Sequence, residues 1–90
     1  MKTIVTTRQF RKDIKKYLGQ PEKVKKLYDV VNLLQSDSAL PQKYKPHILA
    51  GEYSGFMECH VESDLLLIWY DKQENTVKLV RFGTHSELFG

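Results

Sequence analysis

Three histidines, an aspartate, an arginine and a phenylalanine carry most of the chemistry that this 90-residue chain could perform. His47, His60 and His85 are all the histidines it has, and each lies near one end of a strand-like segment. His47 precedes the segments, His60 falls at the end of Phe56 to Val61, and His85 follows Thr76 to Phe82. Asp64 sits in the link after His60, and Arg81 lies near the end of the last segment. Imidazole is the side chain suited to moving a proton near neutral pH. A guanidinium can grip a phosphate with a two-pronged contact. Asp64 can orient a histidine, or act as acid or base if its pKa is raised. Polar groups gathered at strand ends around a rigid core are a common way to build a site.

Each of these residues also has a purely structural reading. His47, after Pro46, can be a loop residue contacting backbone, and His60 can be a satisfied edge histidine. Arg81 alternates with Val77 and Leu79, so it can lie over the sheet and pair with Glu58 or Glu62. Phe89 can seal the core beside Leu88.

The elements that must position these residues are legible. The run LLLIWY, Leu65 to Tyr70, is short, apolar and rich in aromatics, which predicts a strand buried on both faces. Short links, Glu62-Ser63-Asp64 on one side and Lys72-Gln73-Glu74-Asn75 on the other, join it to its neighbours and favour antiparallel hairpins. Earlier in the chain, Lys2 to Val5 reads as a strand. Thr6 and Gln9 have the spacing of a capping box. A helix follows with Phe10, Ile14, Tyr17 and Leu18 on one face, ended by Gly19. Pro21 opens a second helix with Val24, Leu27, Tyr28, Val31 and Leu34 inward. Residues 36–45 read as loop, Ile48 to Ala50 as a possible short strand, and Gly51 and Gly55 bracket a turn. The order is β-α-α followed by three or four strands. This predicts an α+β fold over residues 1–90 as one domain, β-α-α-β-β-β(-β), with a mainly antiparallel sheet and the helical hairpin on one face.

Composition agrees. A chain of this size buries about 60–65% of its unfolded surface, and 41% hydrophobic with 28% charged residues is ordinary for a globular protein. No apolar stretch approaches a membrane span and no signal peptide is evident. The single cysteine, Cys59, forms no internal disulfide, so a cytoplasmic location is expected. Charge is divided: residues 1–46 carry 11 Lys/Arg against 4 Asp/Glu, a balance of +7, and residues 47–90 carry 3 against 7, a balance of −4. Arg8, Arg11, Lys12, Lys15, Lys16, Lys23, Lys25 and Lys26 make the helices basic. They form either a solvated surface or one that faces a polyanion, and they are expected to lie apart from the histidine site.

From Leu40 onward the motifs become specific. The segment LPQKYKPHILAGEYSGFMECHVESDLLLIWY and the terminal RFGTHSELFG resemble those of the YafQ-like branch of the RelE/ParE superfamily of bacterial toxins. In residues 1–38 the resemblance rests on element order and basic helices. It implies a metal-independent endoribonuclease of a type II toxin-antitoxin system, cutting mRNA on the ribosome by attack of a ribose 2′-hydroxyl on the adjacent phosphate. Such a reaction needs a base, an acid and positive charge at the phosphate. By position, His47, His60, Asp64, Arg81, His85 and Phe89 match the family's functional residues. Leu65 stands where relatives can carry an aromatic, so a stacking role is lost there. The basic helices would touch ribosomal RNA. An acidic, partly disordered antitoxin that folds on binding would be the partner, in a hetero-oligomer. A non-catalytic binding protein of this fold, or a ParE-like topoisomerase inhibitor, is the alternative, and the His/Asp/Arg set favours the enzyme.

No cofactor is expected. A metal site is not expected either: none of the usual tight ligand spacings occurs, and Cys59 and His60, being adjacent on a strand, point to opposite faces. Tyr53, Phe56, Trp69 and Cys59 are read as packing residues.

Overall fold

The computed structural model describes residues 1–72 and 75–90, so Gln73 and Glu74 of the expected second hairpin link lie outside the described residues. Strand β1 (Thr3–Thr6) leads into helix α1 (Arg8–Lys15) and then helix α2 (Pro21–Gln35). After a loop with a 3-10 turn at Gln42–Tyr44 come β2 (His47–Ile48), β3 (Met57–Glu62), β4 (Leu65–Lys72), β5 (Thr76–Gly83) and a last short helix, α3 (His85–Phe89). The strands form one sheet in the order β1-β5-β4-β3-β2. Every pairing is antiparallel except that of β1 with β5, which is parallel. The α+β class and the mainly antiparallel sheet are therefore as the sequence predicts.

Strand β4 is central, and Leu65 to Trp69 are buried. Its two faces serve different layers. Leu65, Leu67 and Trp69 join Phe10, Tyr17, Leu27, Val30, Val31, Cys59, Val77, Leu79 and Phe82 under the two helices. Leu66 and Ile68 pack on the opposite face with Leu88, Leu49, Tyr53, Phe56 and Val80. The second face is thus covered by the loop before β3 and by α3, and this cover is what makes the run apolar on both sides. Burial pushes the Cys59 thiol up to about 12, so it stays protonated and acts as a small core residue.

Several local expectations change. Thr7, not Thr6, caps α1: its hydroxyl accepts from the Phe10 amide at 2.9 Å and donates to the Val80 carbonyl at 2.8 Å. Gln9 does not reach back; it donates to Asp13. The helix stops at Lys15, so Tyr17 is buried from the turn beyond it, while Leu18 is exposed. In α2 Leu27, Val30 and Val31 are buried and Val24 and Leu34 pack partly buried against the same core as expected, but Tyr28 lies outside and Val30 takes its place, because the sheet lies along the stripe through position 30. Strand β2 is only His47–Ile48, and Gly55, at φ +90°, turns the chain back into β3. Helix α3 was not expected, although its capping box, Thr84 with Glu87, is present in the sequence.

The Thr7 cap gives a direct test. Thr7→Ala loses both bonds and is expected to cost about 1–2 kcal/mol of stability by urea denaturation. Thr6→Ala, which removes a contact with exposed Arg11, should cost less.

Candidate active site

The site is laid out by cross-strand register on the sheet face opposite the long helices. His47 pairs with Glu58, Glu58 with Ile68, and Ile68 with Arg81, which makes one row across four strands. The next row is His60, Leu66 and Gly83.

Arg81 reaches this face because of a β-bulge. Val77 and Leu79 point into the helix-covered core, and strict alternation would send Arg81 after them. The register shifts between Ile68/Arg81 and Trp69/Leu79, which leaves Val80 as the extra residue. One residue flips the parity, so Phe82 enters the core and Arg81 turns to the other face.

Beyond Thr6, β1 no longer runs beside β5, and α1 takes its place. Asp13, only 1% exposed, fills the vacated edge position. One of its oxygens accepts from the Phe82 amide at 3.0 Å and from Arg81 Nε at 2.8 Å, and the other accepts from Arg81 Nη2 at 3.2 Å. Burial pushes the Asp13 carboxyl up, but the bonds from Arg81, Gln9 and Phe82 outweigh it and hold the group below its ordinary value. The same pairing raises Arg81 further. Arg81 Nη1 donates to the Tyr53 hydroxyl at 3.4 Å. The expected partners Glu58 and Glu62 are elsewhere: Glu62 pairs with Lys23 and Lys26.

The histidines are held by their Nδ1 atoms. His85 Nδ1 lies 3.0 Å from Asp64 Oδ1, which also accepts from the His85 backbone N–H at 3.0 Å. A carboxylate acceptor fixes the proton on Nδ1 and leaves Nε2 free. Asp64 is held below its ordinary pKa, first by that backbone bond and then by the imidazole. This runs against the raised pKa that an acid role requires, and points to orienting His85 instead. His60 Nδ1 faces the Ser63 carbonyl at 3.2 Å, and among the described residues no hydrogen-bond partner is found for its Nε2. The His60 and His85 ring centroids are 6.0 Å apart.

His47 differs. Its Nδ1 faces the Lys45 carbonyl at 2.8 Å and its Nε2 faces Glu58 Oε1 at 3.0 Å. The Lys45 carbonyl can only accept, so Nδ1 donates to it and Nε2 stands against the Glu58 carboxylate. Glu58 is 3% exposed, and its Oε2 is buried without a hydrogen-bond partner among the described residues. Sequence reasoning missed Glu58 as a site residue. Its signal was position: it alternates with His60 on β3 and stands opposite Ile68 in an otherwise apolar sheet.

Helix α3 locks the arrangement from below. Glu87 Oε1 accepts from the Thr84 amide and from the Tyr17 hydroxyl, which ties α3 to the end of α1. A Cβ on Gly83 would lie 2.7 Å from that oxygen, so a side chain there would push the Glu87 carboxylate out of its present position. Phe89, half exposed, packs 6.1 Å from His85, centroid to centroid.

The basic residues are distributed less simply than expected. Lys23 and Lys26 are paired with Glu62, and Lys25 with Asp29. Among the described residues, Arg8, Arg11, Lys12, Lys15 and Lys16 have no carboxylate within ion-pair distance. Nor is the basic surface wholly apart from the histidines. A cleft of about 520 Å³ beside His60 is lined also by Lys26, Lys43, Tyr44 and Lys45.

With this geometry in hand, the comparisons with known proteins are decisive. The family described as "Bacterial toxin of type II toxin-antitoxin system, YafQ" matches residues 2–90. The chain belongs to the YafQ toxin family. The mRNA interferase toxin YafQ of Escherichia coli K12 is 36% identical over 83 residues, which cover 91% of this chain and 89% of that protein. A metal-bound toxin from Helicobacter pylori superposes with a TM-score of 0.88 at 48% identity, covering 99% of this chain and all of that one. The toxin of the E. coli DinJ-YafQ complex superposes with a TM-score of 0.86 at 33% identity, over the full length of both. As to the metal in the H. pylori protein, no group of three His, Cys, Asp or Glu side chains among the described residues could hold an ion here. The YafQ fold is therefore shared in full, and its sheet carries the six residues that the sequence singles out on one face or at its rim.

Proposed function

We propose that this YafQ-family chain, acting as one domain over residues 1–90, is an mRNA endoribonuclease that cuts messages presented by the ribosome. The reaction is attack of a ribose 2′-hydroxyl on the adjacent phosphorus. The O2′–P bond forms as the P–O5′ bond breaks, and the proton lost at O2′ is matched by one gained at O5′. The products are a 2′,3′-cyclic phosphate and a 5′-hydroxyl. The single observation that carries this reading is the pair of imidazoles with fixed Nδ1 protons, free Nε2 atoms and ring centroids 6.0 Å apart. One can take a proton while the other gives one, on opposite sides of a phosphate.

Arg81 supplies a fixed positive charge from the neighbouring row and neutralises the charge that builds on the phosphate. The His47–Glu58 pair stands beside His60, with the His47 and His60 ring centroids 6.4 Å apart. Phe89 offers a face for a base. Arg8, Arg11, Lys12, Lys15 and Lys16, with Lys43 and Lys45 at the cleft, form the surface for ribosomal RNA and message backbone. Among the described residues no helix is long and apolar enough to cross a membrane, which suits a cytoplasmic protein that meets ribosomes. By analogy with DinJ-YafQ, a cognate antitoxin binds and silences it, in a hetero-oligomer. That antitoxin is expected to be acidic, partly disordered and folded on binding.

The test uses purified protein, translating ribosomes and a message mapped by toe-printing. A single 2′-deoxy substitution at the cleaved nucleotide should abolish cutting there, with ribosome occupancy unchanged. Cleavage that survives it would exclude 2′-hydroxyl attack. Rapid cutting of the same message without ribosomes would count against ribosome dependence.

A further inference from the structure

The row of rings does not end at Phe89. From His85, centroid spacings of 6.1 Å to Phe89, 5.9 Å to Tyr53, 6.2 Å to Phe56 and 5.4 Å to Tyr70 continue it across the same sheet face. At the other end the row runs through His60 to His47. Sequence reasoning assigns Tyr53 and Phe56 to packing, and Phe56 does cover Leu66 and Ile68. Tyr70 is different. It ends the buried run of β4 and is 39% exposed. A ring lying open beside other rings, next to a site, is more characteristic of a contact surface than of a core.

Charge accompanies the rings. Lys78 is the cross-strand partner of Tyr70, so the two side chains share the site face. No carboxylate among the described residues pairs with Lys78. Arg81 lies three residues further along the same strand, with Tyr53 against its Nη1. Cations along one strand and rings along its flank form the pattern that holds single-stranded nucleic acid without reading its sequence: backbone on charge, bases on aromatic faces.

From this juxtaposition we infer that Tyr53, Phe56, Tyr70 and Lys78 form a ledge that takes a nucleotide flanking the scissile one, its base on the Tyr70–Phe56 rings and its phosphate at Lys78. Tyr53 joins the ledge to the centre, because its ring meets Phe89 and its hydroxyl meets Arg81. The inference rests on the endoribonuclease reading of the same site. The ledge binds and orients substrate and touches no reacting atom.

The experiment measures maximal rate and half-saturating concentration of ribosome-bound message for wild type, Tyr70→Ala, Tyr70→Phe and Lys78→Gln. A stacked base is commonly worth fivefold or more in binding, roughly. Tyr70→Ala should therefore raise the half-saturating concentration by about fivefold or more, with the effect falling there rather than on the maximal rate, while Tyr70→Phe restores it. Lys78→Gln should raise it too and flatten its salt dependence. Circular dichroism checks the fold of each, and if Tyr70→Ala is unfolded, Lys78→Gln decides alone. Unchanged half-saturation in the folded variants, with wild type cleaving normally, overturns the ledge and leaves the cleavage reading standing. Weakened antitoxin binding with unchanged cleavage constants overturns it as well and assigns the surface to the antitoxin. Absence of cleavage by wild type overturns the endoribonuclease reading, and the ledge with it.

Discussion

Cells producing the His85→Ala variant are expected to keep growing, and the purified variant to cut ribosome-bound message about 100- to 10,000-fold more slowly than wild type. The imidazole is more than half exposed, so its removal should leave stability nearly unchanged. Asp64→Asn should reproduce part of the loss, because the amide can still contact the His85 backbone but no longer fixes the ring proton with a charge. Antitoxin affinity should be retained, which would show that the variant is folded. If His85→Ala remains toxic and cuts at the wild-type rate, the proton-transfer assignment fails and the non-catalytic reading takes its place. The companion variant Arg81→Ala is less clean than the sequence suggests. Its guanidinium neutralises buried Asp13, so truncation removes charge from the phosphate and strands a carboxylate at the same time. Arg81→Lys keeps the charge and loses the two-pronged geometry, and is the better probe.

Asp13 is the second large effect, and here stability falls first. Asp13→Ala leaves the Phe82 amide without its acceptor and the Arg81 guanidinium without its counter-charge, behind a surface that is 1% exposed. Breaking a buried pair of this kind typically costs about 3–5 kcal/mol, against a total of roughly 5–15 kcal/mol for a folded domain. The variant should melt far below wild type in calorimetry, and any folded fraction should be impaired in cleavage because Arg81 is no longer aimed. The pH dependence has a definite sign. The folded-state pKa of Asp13 lies below its unfolded value, so its contribution is fully present above the unfolded value. It is lost as pH falls through the folded one. Wild type should lose stability on acidification below about pH 4 more steeply than Asp13→Asn. Parallel stability curves for the two proteins would contradict this account.

Much of this was legible in the chain. The run Leu65 to Tyr70 announces a central strand, and the two short links announce hairpins. The spacing of histidines at strand ends correctly places them at one rim. What was not legible depends on single-residue geometry. The bulge at Val80 leaves no compositional mark, so simple alternation puts Arg81 on the wrong face. Asp13 reads as one more solvated helix residue, yet it sits three residues after Phe10 and four before Tyr17, inside the apolar stripe. A carboxylate there asks for a buried partner. Glu58 was visible only as a rival partner for Arg81, because nothing local says that His47 will be folded back against it. The Thr84 to Glu87 capping box was present in the sequence, but a five-residue helix is too short to show periodicity.

The parallel pairing of β1 with β5 has a consequence for timing. Thr3 to Thr6 find their partners at Thr76 to Leu79, Asp13 finds Arg81, and Tyr17 finds Glu87, so the beginning of the chain can be completed only by its last fifteen or so residues. A growing polypeptide therefore cannot assemble the proton-transfer pair on the ribosome that makes it while residues 76–87 are still inside that ribosome.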